Sequence, residues 1–182
     1  MPLQDTQENG VSLHTYVGLL RAVNVGGTGK LAMQDLVRMC ADLGFLNVKT
    51  YIASGNVIFQ SHLSAAQCRK QLELVLHNYA GKPVGVFIRT PAELSALLKD
   101  NPFTDQAGNR VVSIFLDGVP DAQCLQSVKG LKDEQIRLGS EHLYVFYGEG
   151  MASSKLVIPY AKTGTARNIN TITKLAELSH AL

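Results

Sequence analysis

Val48-Lys49-Thr50-Tyr51-Ile52-Ala53-Ser54-Gly55-Asn56-Val57-Ile58-Phe59-Gln60 is the stretch on which the fold turns. Its flanks are rich in β-branched and aromatic residues, and Ser54-Gly55-Asn56 between them is a turn or bulge signal. The stretch therefore predicts two successive strands, 48–52 and 57–60, folded back on each other. Helical patterns stand on both sides of it. Upstream, Met33, Leu36, Val37, Cys40 and Leu43 recur at spacings of three and four, predicting a helix over 32–43 that stops at Gly44. Downstream, Cys68, Leu72, Val75 and Tyr79 form the stripe of a helix over 64–79, with Ser64 as cap and Gly81 as terminator. Beyond those helices lie two more apolar, β-rich runs, 16–25 and 84–89. The order is β-α-β-β-α-β, the split arrangement called ferredoxin-like. Thr90 then caps a short helix that opens with Pro91 and runs to about residue 99.

The second half repeats this order loosely. Residues 111–116 read as a strand, and Asp121 caps a helix reaching 128. Two strands, 135–138 and 143–147, flank a Gly139-Ser140 turn. A helical stretch over 153–160 and a C-terminal helix over 168–181 complete it, so its last element departs from the pattern. The chain is expected to be α+β, with a loose arm at 1–15, a first ferredoxin-like subdomain at 16–100, a linker at 101–110 and a second, modified one at 111–182.

The 182 residues suffice for one ordinary domain or two small ones, and for a real core without staples. Charged residues make up 18%, below the roughly 25% usual in globular proteins, so surface polarity leans on Ser, Thr, Asn and Gln. A net charge of +2 excludes a strongly basic nucleic-acid coat but not a local basic patch. Cys40, Cys68 and Cys124 fall among apolar residues, lack zinc spacing, and read as buried thiols of a reducing compartment. Residues 1–15 lack the features of a secretory leader, and no apolar run approaches the ~18 residues of a membrane span, so the cytoplasm is the expected location.

Three polar segments carry the functional expectations. The first runs through Arg21, Asn24, Gly26, Gly27, Gly29 and Lys30, where a strand opens through glycines toward a helix, the geometry in which backbone N–H groups cradle phosphate. It is not a P-loop, because Asn24 and Leu31 stand where glycine and Ser or Thr are needed. The dinucleotide pattern is half met by Gly27, Gly29 and Ala32, but no acidic residue ends the next strand. A plain βα turn explains the glycines equally well. The second segment holds Ser54 and Asn56, which either face a ligand or simply make a tight turn.

The third segment, 164–175, places Arg167, Asn168, Thr171 and Lys174 at the start of the last helix. Cations there oppose the helix dipole, so stability alone does not call for them, whereas an anion would. Residues 150–175 contain Lys155, Lys162, Arg167 and Lys174 and no acid; residues 16–34 contain Arg21 and Lys30 and no acid. Brought together, these segments would form a basic cleft between the halves.

The strings 20–27 (Leu-Arg-Ala-Val-Asn-Val-Gly-Gly), 54–57 (Ser-Gly-Asn-Val) and 165–171 (Thr-Ala-Arg-Asn-Ile-Asn-Thr) resemble the signature segments of the domain-of-unknown-function family 1697. The resemblance implies two ferredoxin-like subdomains and no established reaction. It also implies a large aromatic at position 169, where this chain has Ile169.

The expected function is a binder of a small phosphorylated or nucleotide-like ligand, held by Arg21, Asn24, Gly26, Gly27, Lys30, Ser54, Asn56, Arg167, Asn168 and Lys174. Arg21 and Arg167 would grip phosphate oxygens. No cofactor, metal or membrane partner is called for, and whether the chain is an enzyme stays open. Three alternatives remain. A structural or assembly protein would bury Arg167 and Asn168 between the halves. A transferase acting on a phosphorylated substrate would work by positioning and charge. An RNA-binding module would want more stacking surface than 7% aromatics without Trp supplies.

Overall fold

The computed structural model describes residues 11–25 and 30–182. The first half contains β1 (His14–Leu20), α1 (Met33–Asp42), β2 (Leu46–Thr50), β3 (Asn56–Ser61), α2 (Ala65–Ala80), β4 (Val86–Arg89) and α3 (Pro91–Lys99). The second contains β5 (Val111–Phe115), β6 (Gln135–Leu138), β7 (His142–Phe146), β8 (Thr165–Asn168) and α4 (Ile169–His180). The strands form two four-stranded antiparallel sheets, ordered β2-β3-β1-β4 and β6-β7-β5-β8.

Strand period decides which residue meets which layer. In the first sheet Tyr16, Leu20, Val57, Phe59, Val86 and Ile88 turn toward α1 and α2, where Leu36, Cys40, Cys68, Leu72 and Leu76 meet them. The alternate residues Val17, Leu19, Ile58 and Phe87 face the opposite way. There they share a second core with Leu94 and Leu97 of α3, Ile172 and Leu175 of α4, and Val111, Phe115 and Tyr144 of the second sheet. The two halves are thus joined by one continuous apolar layer. All three cysteines are buried, and burial, with Cys68 beside it, pushes the Cys40 thiol up to about 12.

The helix boundaries follow local chemistry. Ser64 and Gln67 form a capping box on α2, Thr90 and Glu93 form another on α3, and Pro91 occupies the first turn of α3. Gly81 closes α2 at φ +69°.

The second half departs from expectation in three places. The helix expected over 121–128 is only a 3-10 turn, Ala122–Leu125, after which Lys129 pairs with Val157. The stretch 153–160 forms no α-helix, only the ends of the 3-10 turns Met151–Ser153 and Pro159–Ala161: Val157 is extended by that same pairing, and Pro159 disfavours the helical region for the residue before it. Thr165–Asn168 is not the start of a helix but a fourth strand, paired with β5. Its inward positions are Thr165 and Arg167, so the apolar alternation that marks a strand is missing. The expected linker is packed rather than loose, with Asn101 and Phe103 buried and the Gly108 carbonyl accepting from Ile169 N.

Candidate functional site

Strand β1 ends at Leu20 rather than near residue 25, because the chain then turns through Ala22 and Asn24, both at φ +54°. Beside this exit lies the turn between β2 and β3, where Ile52 adopts φ +53° and Gly55 φ +86°. Positive φ is uncommon for any residue with a Cβ and a true outlier for a β-branched one. Gly55 is required for a second reason: a Cβ there would lie 2.5 Å from Val23 Cγ2 and 2.9 Å from Leu20 Cβ. Asn24 ties the two turns together. Its Nδ2 donates to Ala53 O at 2.8 Å and Leu31 O at 2.9 Å, and Leu31 N donates to its Oδ1 at 2.7 Å. Asn24 and Leu31 are therefore bonded to each other twice.

Arg167 reaches into this double turn from β8. Its Nε donates to Asn56 Oδ1 at 2.6 Å. Nη1 donates to Thr165 Oγ1 and Ala166 O, and Nη2 to Leu20 O and Ser54 O, all at 2.9 Å. A guanidinium has five N–H groups, and here all five are engaged. The residue is 7% exposed, and burial lowers its pKa to about 10, so it remains a cation at neutral pH. No carboxylate faces it among these bonds; carbonyl and amide oxygens balance the charge.

Other arginines fasten the same seam. Arg21 donates from Nε to Gly164 O at 3.2 Å and from Nη2 to Lys162 O at 2.7 Å. Arg89 donates from Nη2 to Leu116 O at 3.0 Å and Glu141 O at 3.3 Å, with its guanidinium 5.4 Å from the Phe115 ring centroid. Burial holds Arg89 below its usual pKa. Arg69 pairs with Asp117 at 2.5 Å and Glu73 at 3.0 Å, and the bond to Asp117 chiefly raises its pKa.

The described residues of the three polar segments thus meet between the halves, as the sequence suggests, and their arginines are bonded to the protein's own oxygens. The phosphate contacts expected of Arg167 are corrected: its N–H groups are spent on the protein's own oxygens. Arg21 is likewise turned to backbone carbonyls. Asn56 is fully buried, donating Nδ2 to Tyr51 O and Ser54 Oγ at 2.9 Å each. Ser54 therefore faces the turn. Asn168 caps α4, accepting from Thr171 N at 2.9 Å. Lys174 lies on the exposed side of α4, 3.5 Å from Glu177, and so away from the seam. Gly26 and Gly27 lie outside the described residues.

Lys30 is placed differently. It lines a cleft of about 220 Å³ at the exit of β1, against the C-terminal end of α2, together with Ala22, Val23, Leu31, Tyr79 and Lys82. This cleft belongs to the first half alone. Lys82 carries no motif, and Tyr79, expected in the buried stripe of α2, is instead exposed because that stripe runs through Cys68, Leu72 and Leu76; neither was legible as a site residue. Arg69 and Arg89 were missed too, since a helical arginine and a strand-end arginine look like ordinary surface charge. Among the described residues no group of three His, Cys, Asp or Glu is placed to hold a metal ion, and no helix is long and apolar enough to cross a membrane.

No curated protein matches the chain. Among solved structures it is similar to the conserved bacterial protein SP0830 from Streptococcus pneumoniae, with 26% identity, a TM-score of 0.75, and coverage of 92% of this chain and 99% of that one. Residues 13–144 match the model of a family described as a protein of unknown function, DUF1697. That span holds the clamped exit of β1, the strained hairpin turn and most of both sheets, and on it the chain belongs to the DUF1697 family.

Proposed function

We propose that this protein is a binding module for a small phosphorylated or otherwise anionic ligand, seated in the cleft at the exit of β1. One observation carries the reading: strain and charge converge there. Ala22 holds positive φ at its edge, Asn24 at positive φ is bonded to both N and O of Leu31 beside Lys30, and Lys30 and Lys82 line the cleft. Backbone strain kept in place by surrounding bonds is concentrated at functional sites. The strand order β2-β3-β1-β4, with α1 and α2 packed on one face, supports a ferredoxin-like first half. The order β6-β7-β5-β8 supports the same plan in the second, with 3-10 turns where helices would stand.

A second reading applies to the polar segments themselves. The full engagement of Arg167 favours their role as glue that holds two sheets in one body. The two readings are compatible, because the glue also fixes the turn that borders the cleft.

The test is thermal unfolding at low salt in the presence of inorganic phosphate, nucleotides, sugar phosphates and short RNA. A ligand at one hundred times its Kd adds about 2.7 kcal/mol, or several degrees for this chain length. Lys30→Ala should abolish the gain, while Lys174→Ala should keep it. A flat response to every compound, or a gain unchanged in Lys30→Ala, would overturn the reading and leave assembly alone.

A further inference from the structure

We infer that the ligand of this cleft is a small amphiphilic anion, one ring or a short chain carrying a phosphate or carboxylate, rather than a bare inorganic ion. The inference rests on the anion-binding reading above and deepens it. The cleft is apolar beneath its lysines. Val23, Leu31, Leu76 and Val84 line it, and each is at most 7% exposed. A hydrated phosphate ion gains nothing from such a floor, since burying a charge there without paired donors is costly.

Tyr79 supplies a flat wall. Its ring is 47% exposed although large, and its hydroxyl donates to Asp35 Oδ2 at 3.1 Å, which ties α2 to α1 and limits the ring's freedom. An exposed aromatic held by its polar end presents its apolar body to a partner. Lys30 is exposed and brings positive charge to the mouth. Size sets the upper limit. At about 220 Å³ the cleft falls below the roughly 300–1,000 Å³ of pockets for drug-sized ligands, so a single ring or short chain fits and a dinucleotide does not.

The experiment is a ladder of probes titrated into the full chain and followed by amide chemical shifts: inorganic phosphate, methyl phosphate, phenyl phosphate and phenol. Phenyl phosphate should bind on the order of tenfold or more tighter than inorganic phosphate, the gain expected from covering one ring face. It should also bind tighter than phenol, with shifts centred on Val23, Leu31 and Val84. Tyr79→Ala should remove the advantage of the phenyl group and leave the weak phosphate response. Tyr79→Phe should retain most of that advantage. Equal binding of phosphate and phenyl phosphate, both lost in Lys30→Ala, would overturn this inference while sparing the anion-binding reading. Phenol binding as well as phenyl phosphate would sink the anionic requirement and both readings with it, as would no binding by any probe.

Discussion

Replacing Arg167 tests how the two halves are held. Arg167→Ala removes the guanidinium and leaves the buried Asn56 Oδ1 and the part-buried Ser54 O short of a donor, while Leu20 O keeps only the longer bond from Thr165 Oγ1 at 3.4 Å. Each orphaned buried acceptor costs about 1–3 kcal/mol, and water entering the space left by the side chain recovers part of that. Breaking a buried charged network typically costs about 3–5 kcal/mol. For a chain of 182 residues each kcal/mol moves Tm by about 2–4 °C, so the variant should melt on the order of 10 °C lower. Arg167→Lys keeps the charge, but one ammonium has three donors at a single point, against five N–H groups spread over a plane. The bonds at Nε and on the two Nη atoms point to different segments, so lysine should recover less than half of the loss. Urea unfolding read by circular dichroism and by near-ultraviolet tyrosine signal would separate loss of stability from separation of the halves. A loss under about 1 kcal/mol, or a lysine variant equal to the parent, would refute the network account.

Two further outcomes follow from strain and burial. Ile52 is 49% exposed at φ +53°, so Ile52→Asn gives up little buried area and removes a left-handed β-branched residue. It should stabilise the chain by about 1 kcal/mol, and a loss in denaturant midpoint would contradict the strain. His142 is 5% exposed, and burial, with Arg89 adding to it and Asp100 opposing, lowers its pKa from 6.5 to about 4. The unfolded chain then takes up the proton first, so stability present above about pH 6.5 is lost as pH falls toward 4, by up to roughly 3 kcal/mol. His142→Phe keeps the aromatic contacts with Tyr144 and Phe115. Its stability difference from the parent should shift in the variant's favour across that window; a difference independent of pH would rule the effect out.

The architecture was legible where local signals and burial agreed. Ser64, Thr90, Pro91 and Gly81 each do what their residue type predicts at a helix end. The hairpin around Ser54-Gly55-Asn56 is found, with β2 ending at Thr50 rather than Ile52, and β3 is legible because it carries apolar residues on both faces, as a sheet covered on two sides requires. The second half was less legible, since its outer face is closed by irregular segments. Leu116, Cys124 and Leu143 are covered by Ile158 and Ala161 from chain with no α-helix, and no period of 3.6 announces such a cover. Strand β8 was invisible for a different reason: its core-facing residues are polar.

That same polarity explains why Arg167 reads as an anion site in the sequence. A cation without acids nearby, flanked by Asn and Thr, is what a phosphate pocket needs. The folded chain meets the identical demand internally. The end of β1 and the β2–β3 turn leave carbonyls of Leu20 and Ser54 pointing at one spot, and Asn56 adds an amide oxygen. Together they present the partial negative charge that an anion would have supplied. Nothing within one segment distinguishes the two cases, because the acceptors come from residues more than 100 positions away in sequence. What does separate them is count. A phosphate-binding arginine keeps N–H groups pointing at solvent when the ligand is absent, whereas Arg167 has none left. Lys30, by contrast, is exposed and lines the cleft at the exit of β1.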